Sequence, residues 1–280
     1  MYFLFANPHK PETIVVARHL AEWLIGQNEQ VMLDAWLHEL VGLGQSGDLS
    51  LLTQDTRAII SLGGDGTLLR VLPTAALHQI PVLGVNMGRV GFLLETNNAG
   101  LQTALTRIQA QDYTLEQRMM LRCQVNGGAS QLFMNDVVLC RGANPSSIVV
   151  DAYVDEELVY ATHGDGMIVS TATGSTGYCL SAGGPILHPS LHCMVLLPVC
   201  THKAQQLPIV LQDDVHIRLK TDAVPGRTYQ VVLDGQKTFD IQGAAEVTIE
   251  KATEKAQFIR FEPQQFFTRL RQKQTEWSVI

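Results

Sequence analysis

No run of apolar residues in the chain approaches the ~20 that a helix needs to cross a bilayer. The opening residues, Met1-Tyr2-Phe3-Leu4-Phe5-Ala6-Asn7-Pro8, form a short apolar run without the basic flank of a secretion signal. Long basic stretches are missing too. The net charge is −7 over 280 residues, which argues against a nucleic-acid-binding surface. No cysteines have Cys-x-x-Cys spacing, and the five present (Cys123, Cys140, Cys179, Cys193, Cys200) are odd in number. They read as reduced, mostly buried thiols of a cytoplasmic protein, with no structural zinc site. Internal repeats and low-complexity segments are absent. What remains, 46% hydrophobic and 17% charged residues, suits a globular protein with a substantial core, as one large domain or two small ones. An acidic protein that binds an anion must build local positive potential from N–H groups, a few Arg, Lys or His side chains, or a metal.

The most informative stretch is Gly63-Gly64-Asp65-Gly66-Thr67. It follows Arg57–Leu62, which reads as a short buried strand, and precedes Leu68–Leu72, which reads as the first turns of a helix. A glycine turn between strand and helix brings backbone N–H groups and a helix N-terminus close to a ligand, an arrangement that favours phosphate. A carboxylate repels phosphate, so Asp65 points to a second need beside the anion, such as a base for an attacking hydroxyl. Gly-Gly-Asp-Gly also makes ordinary turns, and the pentapeptide alone leaves both readings open.

The first third alternates strand and helix signals. Strands are predicted at Tyr2–Ala6, Gln30–Leu33, residues 57–62 and Pro81–Val85. Helices are predicted at Glu12–Ile25, with Gly26 as a stop, and from the glycine loop to about Leu77. Gly42–Ser50 reads as a loop. This alternation implies a parallel sheet covered by helices, with ligands at the carboxyl ends of its strands. The glycine loop and Asn86-Met87-Gly88-Arg89-Val90-Gly91-Phe92 both lie at such ends. After a helix near Ala99–Gln109 come short strand-like runs at Met119–Val125, Gln131–Cys140, Ser147–Val154, Glu157–Thr162, Met194–Leu197, Val215–Lys220, Tyr229–Leu233 and Ala245–Glu250. The predicted organisation is an α/β domain over residues 1–98, a β-rich domain over 99–262, and a tail over 263–280, helical and returning to the first domain.

Residues 163–185 concentrate glycines and small hydroxyls with little apolar packing, and read as a ligand-binding segment. Thr171, Thr173, Ser175 and Thr176 offer hydroxyls, and Tyr178 offers a face for a planar ring. A solvated, turn-rich connection is the plain alternative.

Together, Gly63–Thr67, Gly88-x-x-Gly91-Phe92-Leu93, Asn135-Asp136, Gly164-Asp165-Gly166 through Pro185, and Asp234-Gly235-Gln236 occur in the order found in NAD kinases. The chain closely resembles a bacterial-type NAD kinase over nearly its whole length. Gly-Gly-Asp-Gly alone is shared with lipid kinases and, more loosely, with 6-phosphofructokinases. Thr-Gly-Ser-Thr-Gly-Tyr with Ser-Ala-Gly-Gly-Pro is far more selective. The resemblance implies phosphorylation of the adenosine 2′-hydroxyl of NAD to give NADP, with ATP or another phosphoryl donor accompanied by Mg²⁺. It implies an α/β domain joined to a β-rich domain, and a homodimer or homotetramer. No nucleic acid or membrane partner is implied.

By resemblance Asp65 is the general base, and Gly63, Gly64 and Thr67 form the phosphate loop, Thr67 either capping the helix or touching phosphate. The NAD-binding set is Gly66, Arg70, Asn135, Asp136, His163, Asp165, Thr176, Gly177, Tyr178, Cys179, Leu180, Ser181 and Gln236. Arg70 is either a phosphate contact or a surface arginine, and Asp165 either binds ligand or forms a turn. The chain departs from the family pattern in four places. Asp136 replaces Glu, Ala172 replaces Pro and Gly177 replaces Ala. In Val199-Cys200-Thr201-His202-Lys203-Ala204 and the residues after it, His202 and Pro208 are kept but Leu207 stands at an Arg position. Two other readings stay open: a lipid kinase sharing the glycine loop, and a nucleotide-binding sensor without catalysis.

Overall fold

The computed structural model describes residues 1–144, 146–202, 206–262 and 266–277. The departures at Lys203 and Ala204, and tail residues 263–265 and 278–280, lie outside the described residues. The chain forms two compact units, Met1–Gln117 with Ala256–Ile280, and Arg118–Lys255.

In the first unit, β1 (Tyr2–Ala6), β2 (Val31–Asp34), β3 (Gln45–Gly47), β4 (Ala58–Gly63) and β5 (Val82–Asn86) form a parallel sheet in the order β3-β2-β1-β4-β5. β1 and β4 are buried along their whole length, as strands covered on both faces must be. Helix α1 (Glu12–Gly26) turns Val16, Ala17, Leu20, Ala21 and Leu24 inward at helical spacing. Helices α2 (Ala35–Val41) and α3 (Asp65–Leu77) follow β2 and β4, and β6 (Thr96–Asn97) pairs with β5. Pairing of Ala6 with Leu62 and of Gly63 with Asn86 brings β1, β4 and β5 to an end side by side. The segments after these strands therefore leave from one edge, where open α/β sheets bind ligands.

Two local expectations change here. The predicted Gly42–Ser50 loop contains β3 and leads into a 3₁₀ turn at Leu49–Leu51, and the seven-residue α2 was not foreseen. Elements this short span too few periods to show in the residue pattern. Helix α4 (Leu101–Gln109) buries Leu101, Ala104, Leu105 and Ile108 in the core shared by α1 and the parallel sheet. The change in sequence texture near residue 99 thus precedes the division between units, which falls after Gln117.

The second unit is built from antiparallel strands: β7 (Thr114–Val125), β8 (Gln131–Phe133), β9 (Asp136–Arg141), β10 (Ile148–Val154), β11 (Glu157–Gly164), β12 (Gly166–Thr171), β13 (Cys193–Val199), β14 (Ile209–Gln212), β15 (Ile217–Lys220), β16 (Thr228–Leu233), β17 (Lys237–Gln242) and β18 (Glu246–Arg260). One sheet runs β14-β13-β12-β9-β16-β17; the other contains β11-β10-β15-β18, with β7 pairing β18 and β8. Alternate residues of both sheets, among them Val137, Val169, Val231, Val150, Leu219 and Val247, fill one core. The chain crosses between units twice, within β7 and within β18. Helix α5 (Tyr178–Ser181) lies in the second unit and α6 (Phe266–Trp277) in the first.

The predicted strand Gln131–Cys140 is broken at Met134-Asn135, where the chain turns from β8 into β9. The expectation of scarce apolar packing in residues 163–185 fails at β12, every residue of which is buried. Met167 and Val169 enter one core cluster and Ile168 another, so both faces are covered and no polar alternation marks the strand.

Candidate functional site

Within the first unit, β4 delivers Gly63 and Gly64, and Asp65 is the first residue of α3. Gly64 holds the cap position in an extended conformation, and Gly64 O accepts N–H groups from Thr67 (3.0 Å) and Leu68 (3.1 Å). Thr67 does not cap the helix. No side chain bonds there, and Thr67 is buried so close to Gly63 that a Cβ on Gly63 would lie 2.3 Å from its Oγ1. Thr67 stands inside the first helical turn, packed against Gly63.

The Asp65 carboxylate is held by the segment after β5. Phe92 N–H donates to Oδ2 at 2.8 Å and Leu93 N–H to Oδ1 at 3.2 Å. Burial raises the carboxyl above its ordinary pKa, and the two N–H bonds and the charges of Lys273 and Arg269 oppose that rise. Each oxygen accepts one backbone bond, so each keeps a lone pair for a further donor. The glycines of Gly88-x-x-Gly91 make room for charge: a Cβ on Gly91 would lie 2.2 Å from Asp65 Oδ1, and one on Gly88 would lie 2.5 Å from Lys10 Nζ.

Lys10 was missed in the sequence. Its ammonium donates to Met87 O at 2.8 Å, which fixes a cation where the loops after β1 and β5 meet. Its signal was positional, since it follows β1 at the same sheet edge. Arg70 is exposed, with its guanidinium 5.1 Å from the Phe5 ring centroid. Gly63, Gly64, Asp65, Gly66, Thr67 and Arg70 thus come together on one strand–helix junction.

Within the second unit, the Asn135-Asp136 turn is gripped by Asp234. That carboxylate accepts N–H groups from Met134 (2.8 Å), Asn135 (2.6 Å) and Asp136 (3.0 Å), while Asp234 N–H donates to Asp136 O at 2.9 Å. Asp234 (φ 50°) and Gly235 (φ 63°) are both left-handed in the three-residue hairpin connection between β16 and β17, where Gln236 N–H donates to Leu233 O at 2.8 Å to close the turn. The Asp-Gly pair flags such a hairpin in sequence, but its carboxylate's grip on residues 134–136 does not show there. Asp136 is 5% exposed, and burial followed by the neighbouring Asp234 charge pushes its carboxyl up to about 7. Asn135 Oδ1 is buried without a hydrogen-bond partner. A Cβ on Gly177 would sit 3.6 Å from Asn135 Nδ2 and 3.8 Å from Asp136 Oδ2, so Gly177 borders both side chains.

The hydroxyls of this region are largely spent on the fold. Thr171 Oγ1 donates to Met134 O (2.8 Å) and accepts from Gly174 N (3.0 Å). Ser175 Oγ donates to Ala172 O (2.7 Å) and accepts from Leu187 N (3.0 Å), and Thr173 Oγ1 accepts from buried Arg118 (3.2 Å). Thr176 is half-buried and reaches Thr173 O at 3.3 Å. These bonds knit a turn, so these hydroxyls are engaged within the fold. Cys179 is fully buried with Val138, Ile168, Val195 and Leu197, and burial pushes its thiol up to about 11, so its side chain belongs to the core. Tyr178 is 49% exposed; Leu180 is partly buried and Ser181 exposed.

Asp165 is paired with Arg141, whose Nε lies 3.0 Å from Oδ1. The flanking glycines serve the sheet: a Cβ on Gly164 would lie 2.7 Å from Val199 O, and one on Gly166 2.3 Å from Leu139 O. His163 is exposed, bonds Ser147 Oγ through Nε2 at 2.8 Å, and lies ring to ring with His202 at 4.5 Å. Gln236 is exposed, as the last residue of the connection between β16 and β17. Arg141 is a further residue that motif reading passed over, and Asp234 was read only as part of the Asp234-Gly235-Gln236 series, with no role of its own.

Residues 3–113 match the ATP-NAD kinase N-terminal domain, and residues 134–261 match the ATP-NAD kinase C-terminal domain. The NAD kinase of Geotalea daltonii is 33% identical over 274 residues, covering 96% of each chain. That of Heliobacterium modesticaldum is 39% identical over 274 residues, covering 95% of each. Yeast NADH kinase, crystallised with NADH, shares the fold with a TM-score of 0.89 at 21% identity, covering 96% of this chain and 85% of the other. An NAD kinase from Archaeoglobus fulgidus in complex with ATP has a TM-score of 0.76 at 27% identity, covering 97% of this chain and 99% of the other.

Proposed function

From the premise that the chain belongs to the NAD kinase family, we propose that it transfers a phosphoryl group from ATP or another phosphoryl donor to the adenosine 2′-hydroxyl of NAD, giving NADP. Asp65 is the general base. The observation that carries this reading is a carboxylate at the N-terminus of α3, held by two N–H bonds and raised by burial. A ribose hydroxyl is a poor nucleophile at neutral pH. Asp65 accepts its proton as the new O–P bond forms, contributing roughly 10²–10⁴-fold. The N-terminus of α3, Lys10 and Arg70 neutralise phosphate charge.

Asn135, Asp136, His163, Asp165, Thr176–Ser181 and Gln236 are proposed to bind NAD, with Cys179 contributing backbone alone. The orphaned Asn135 Oδ1 invites an N–H or O–H donor from the ligand. Asp136, balanced between its two protonation states near neutrality, either donates or accepts. Among the described residues no three His, Cys, Asp or Glu side chains gather as a metal cage. By family likeness, Mg²⁺ is expected to accompany the phosphoryl donor. When bound with the donor, Mg²⁺ would supply positive charge that offsets that of the phosphates.

A cytoplasmic setting is supported by five free thiols, three of them buried. No helix among the described residues is long and apolar enough to cross a membrane. Assembly as a homodimer or homotetramer follows family likeness.

Asp65→Asn is expected to keep NAD binding by calorimetry while losing at least ~100-fold in NADP formation. Turnover at the parent rate would remove Asp65 from the role of base. Product analysis with NAD and with diacylglycerol separates this reading from a lipid kinase, and a chain that binds NAD without forming NADP is the non-catalytic sensor.

A further inference from the structure

Phe92 and Leu93 are held from both sides. Their N–H groups donate to Asp65. Their carbonyls are taken by two arginines from the far end of the chain: Arg269 Nη1 donates to Phe92 O at 2.9 Å, and Arg260 Nη1 donates to Leu93 O at 3.0 Å. Glu95 braces both guanidiniums through Oε2, 3.1 Å from Arg260 Nη1 and 3.6 Å from Arg269 Nη2, while Glu116 takes Arg260 Nε at 2.6 Å. Phe266, at the start of α6, sets its ring 6.1 Å from that of Phe92. All of these groups lie within the first unit.

We propose that Arg269 of α6 is a positioning residue for the phosphoryl transfer, fixing the Phe92-Leu93 backbone that aims the Asp65 carboxylate and supplying a positive charge to it. The inference rests on the reading of Asp65 as base. A two-residue clamp gripped at both its N–H and C=O groups has little freedom to tilt, and displacement of a reacting group by about 1 Å costs on the order of 100-fold in rate. Among the described residues, the charges bearing on Asp65 are those of Lys273 and then Arg269, both from α6. Lys273 is partly offset by Glu276 at 3.2 Å, and Arg269 is itself influenced by Arg260, Glu95 and Glu116. Nearby positive charge favours the carboxylate, so its removal raises the Asp65 pKa and moves the acid limb of the rate profile to higher pH.

The test is kcat and KM for NAD against pH in the full chain, with melting temperatures, for Arg269→Gln, Arg269→Lys and Lys273→Gln. Arg269→Gln is expected to lose about 10–100-fold in kcat with KM for NAD little changed, and to move the acid limb up by roughly 1 pH unit. Arg269→Lys keeps the charge but lacks the fork that spans Phe92 O and Glu95. It is expected to restore the limb while its plateau stays low. Lys273→Gln should move the limb in the same direction, with a plateau lowered less than that of Arg269→Gln. A folded Arg269→Gln with parent kcat and parent limb overturns the proposal, as do equal losses in both Arg269 variants with no movement of the limb. If Arg269→Gln does not fold, a parent plateau in Arg269→Lys overturns it. An inactive Asp65→Asn beside an unmoved Arg269→Gln leaves the base standing and rejects only the clamp; an active Asp65→Asn rejects the base itself.

Discussion

Asp136 shows what burial does to a single carboxyl. An Asp in an unfolded chain titrates near ~3.9. In the fold its value is pushed up to about 7 by burial and then by the charge of Asp234. The native state therefore holds an extra proton between these values, and stability falls as pH rises through that window. Asp136→Asn removes the titration. The variant is expected to melt higher than the parent at pH 8 and to lose that advantage at pH 4, as read by thermal scans at both pH values. A difference of equal size at the two values would show that Asp136 is not buried as a shifted acid. The identity of Asp136 was legible from its place after Asn135 in the motif order. Its altered acidity was not, because Asp234 lies 98 residues away along the chain.

At the scale of elements, the turn between β8 and β9 depends on a side chain from the β16–β17 hairpin. Asp234→Ala leaves three partly buried N–H groups without their acceptor and puts alanine at a φ of 50°. A loss above ~2 kcal/mol in denaturant unfolding is expected, together with weaker NAD binding measured by calorimetry. Asp234→Asn tolerates the same φ and keeps one acceptor oxygen, so it should lose less. Strands with alternating or continuous apolar residues, such as β10, β13 and β16, were readable from their period. β12 was not, because Gly166, Ser170 and Thr171 imitate a ligand loop although the strand is wholly buried. β18 was read only as far as Glu250. Its middle, Lys251–Lys255, is mostly polar, and pairing rather than pattern carries the strand on to Arg260.

For the whole molecule, the two crossings matter most. Because β18 ends in the first unit, with Phe258 paired to Val82 and Ile259 in the core, residues 1–117 lack part of their own sheet when cut free. A chain ending at Lys255 is expected to leave residues 1–117 unprotected in hydrogen exchange, because Arg260, the partner of Glu95 and Glu116, is lost as well. Protection equal to the parent's would show that the first unit folds without its returning strand.

By itself the sequence determined the α/β-then-β order, the glycine loop with its single carboxylate, and membership of a family. Each of these is written in contiguous residues whose spacing acts locally on backbone conformation. Only the tertiary structure decided what surrounds that carboxylate. Arg260 reaches Leu93 across 167 residues and Arg269 reaches Phe92 across 177. Contacts of that span arise when folding excludes water and forces buried charges and backbone groups to find partners, and no local pattern records which partners they find.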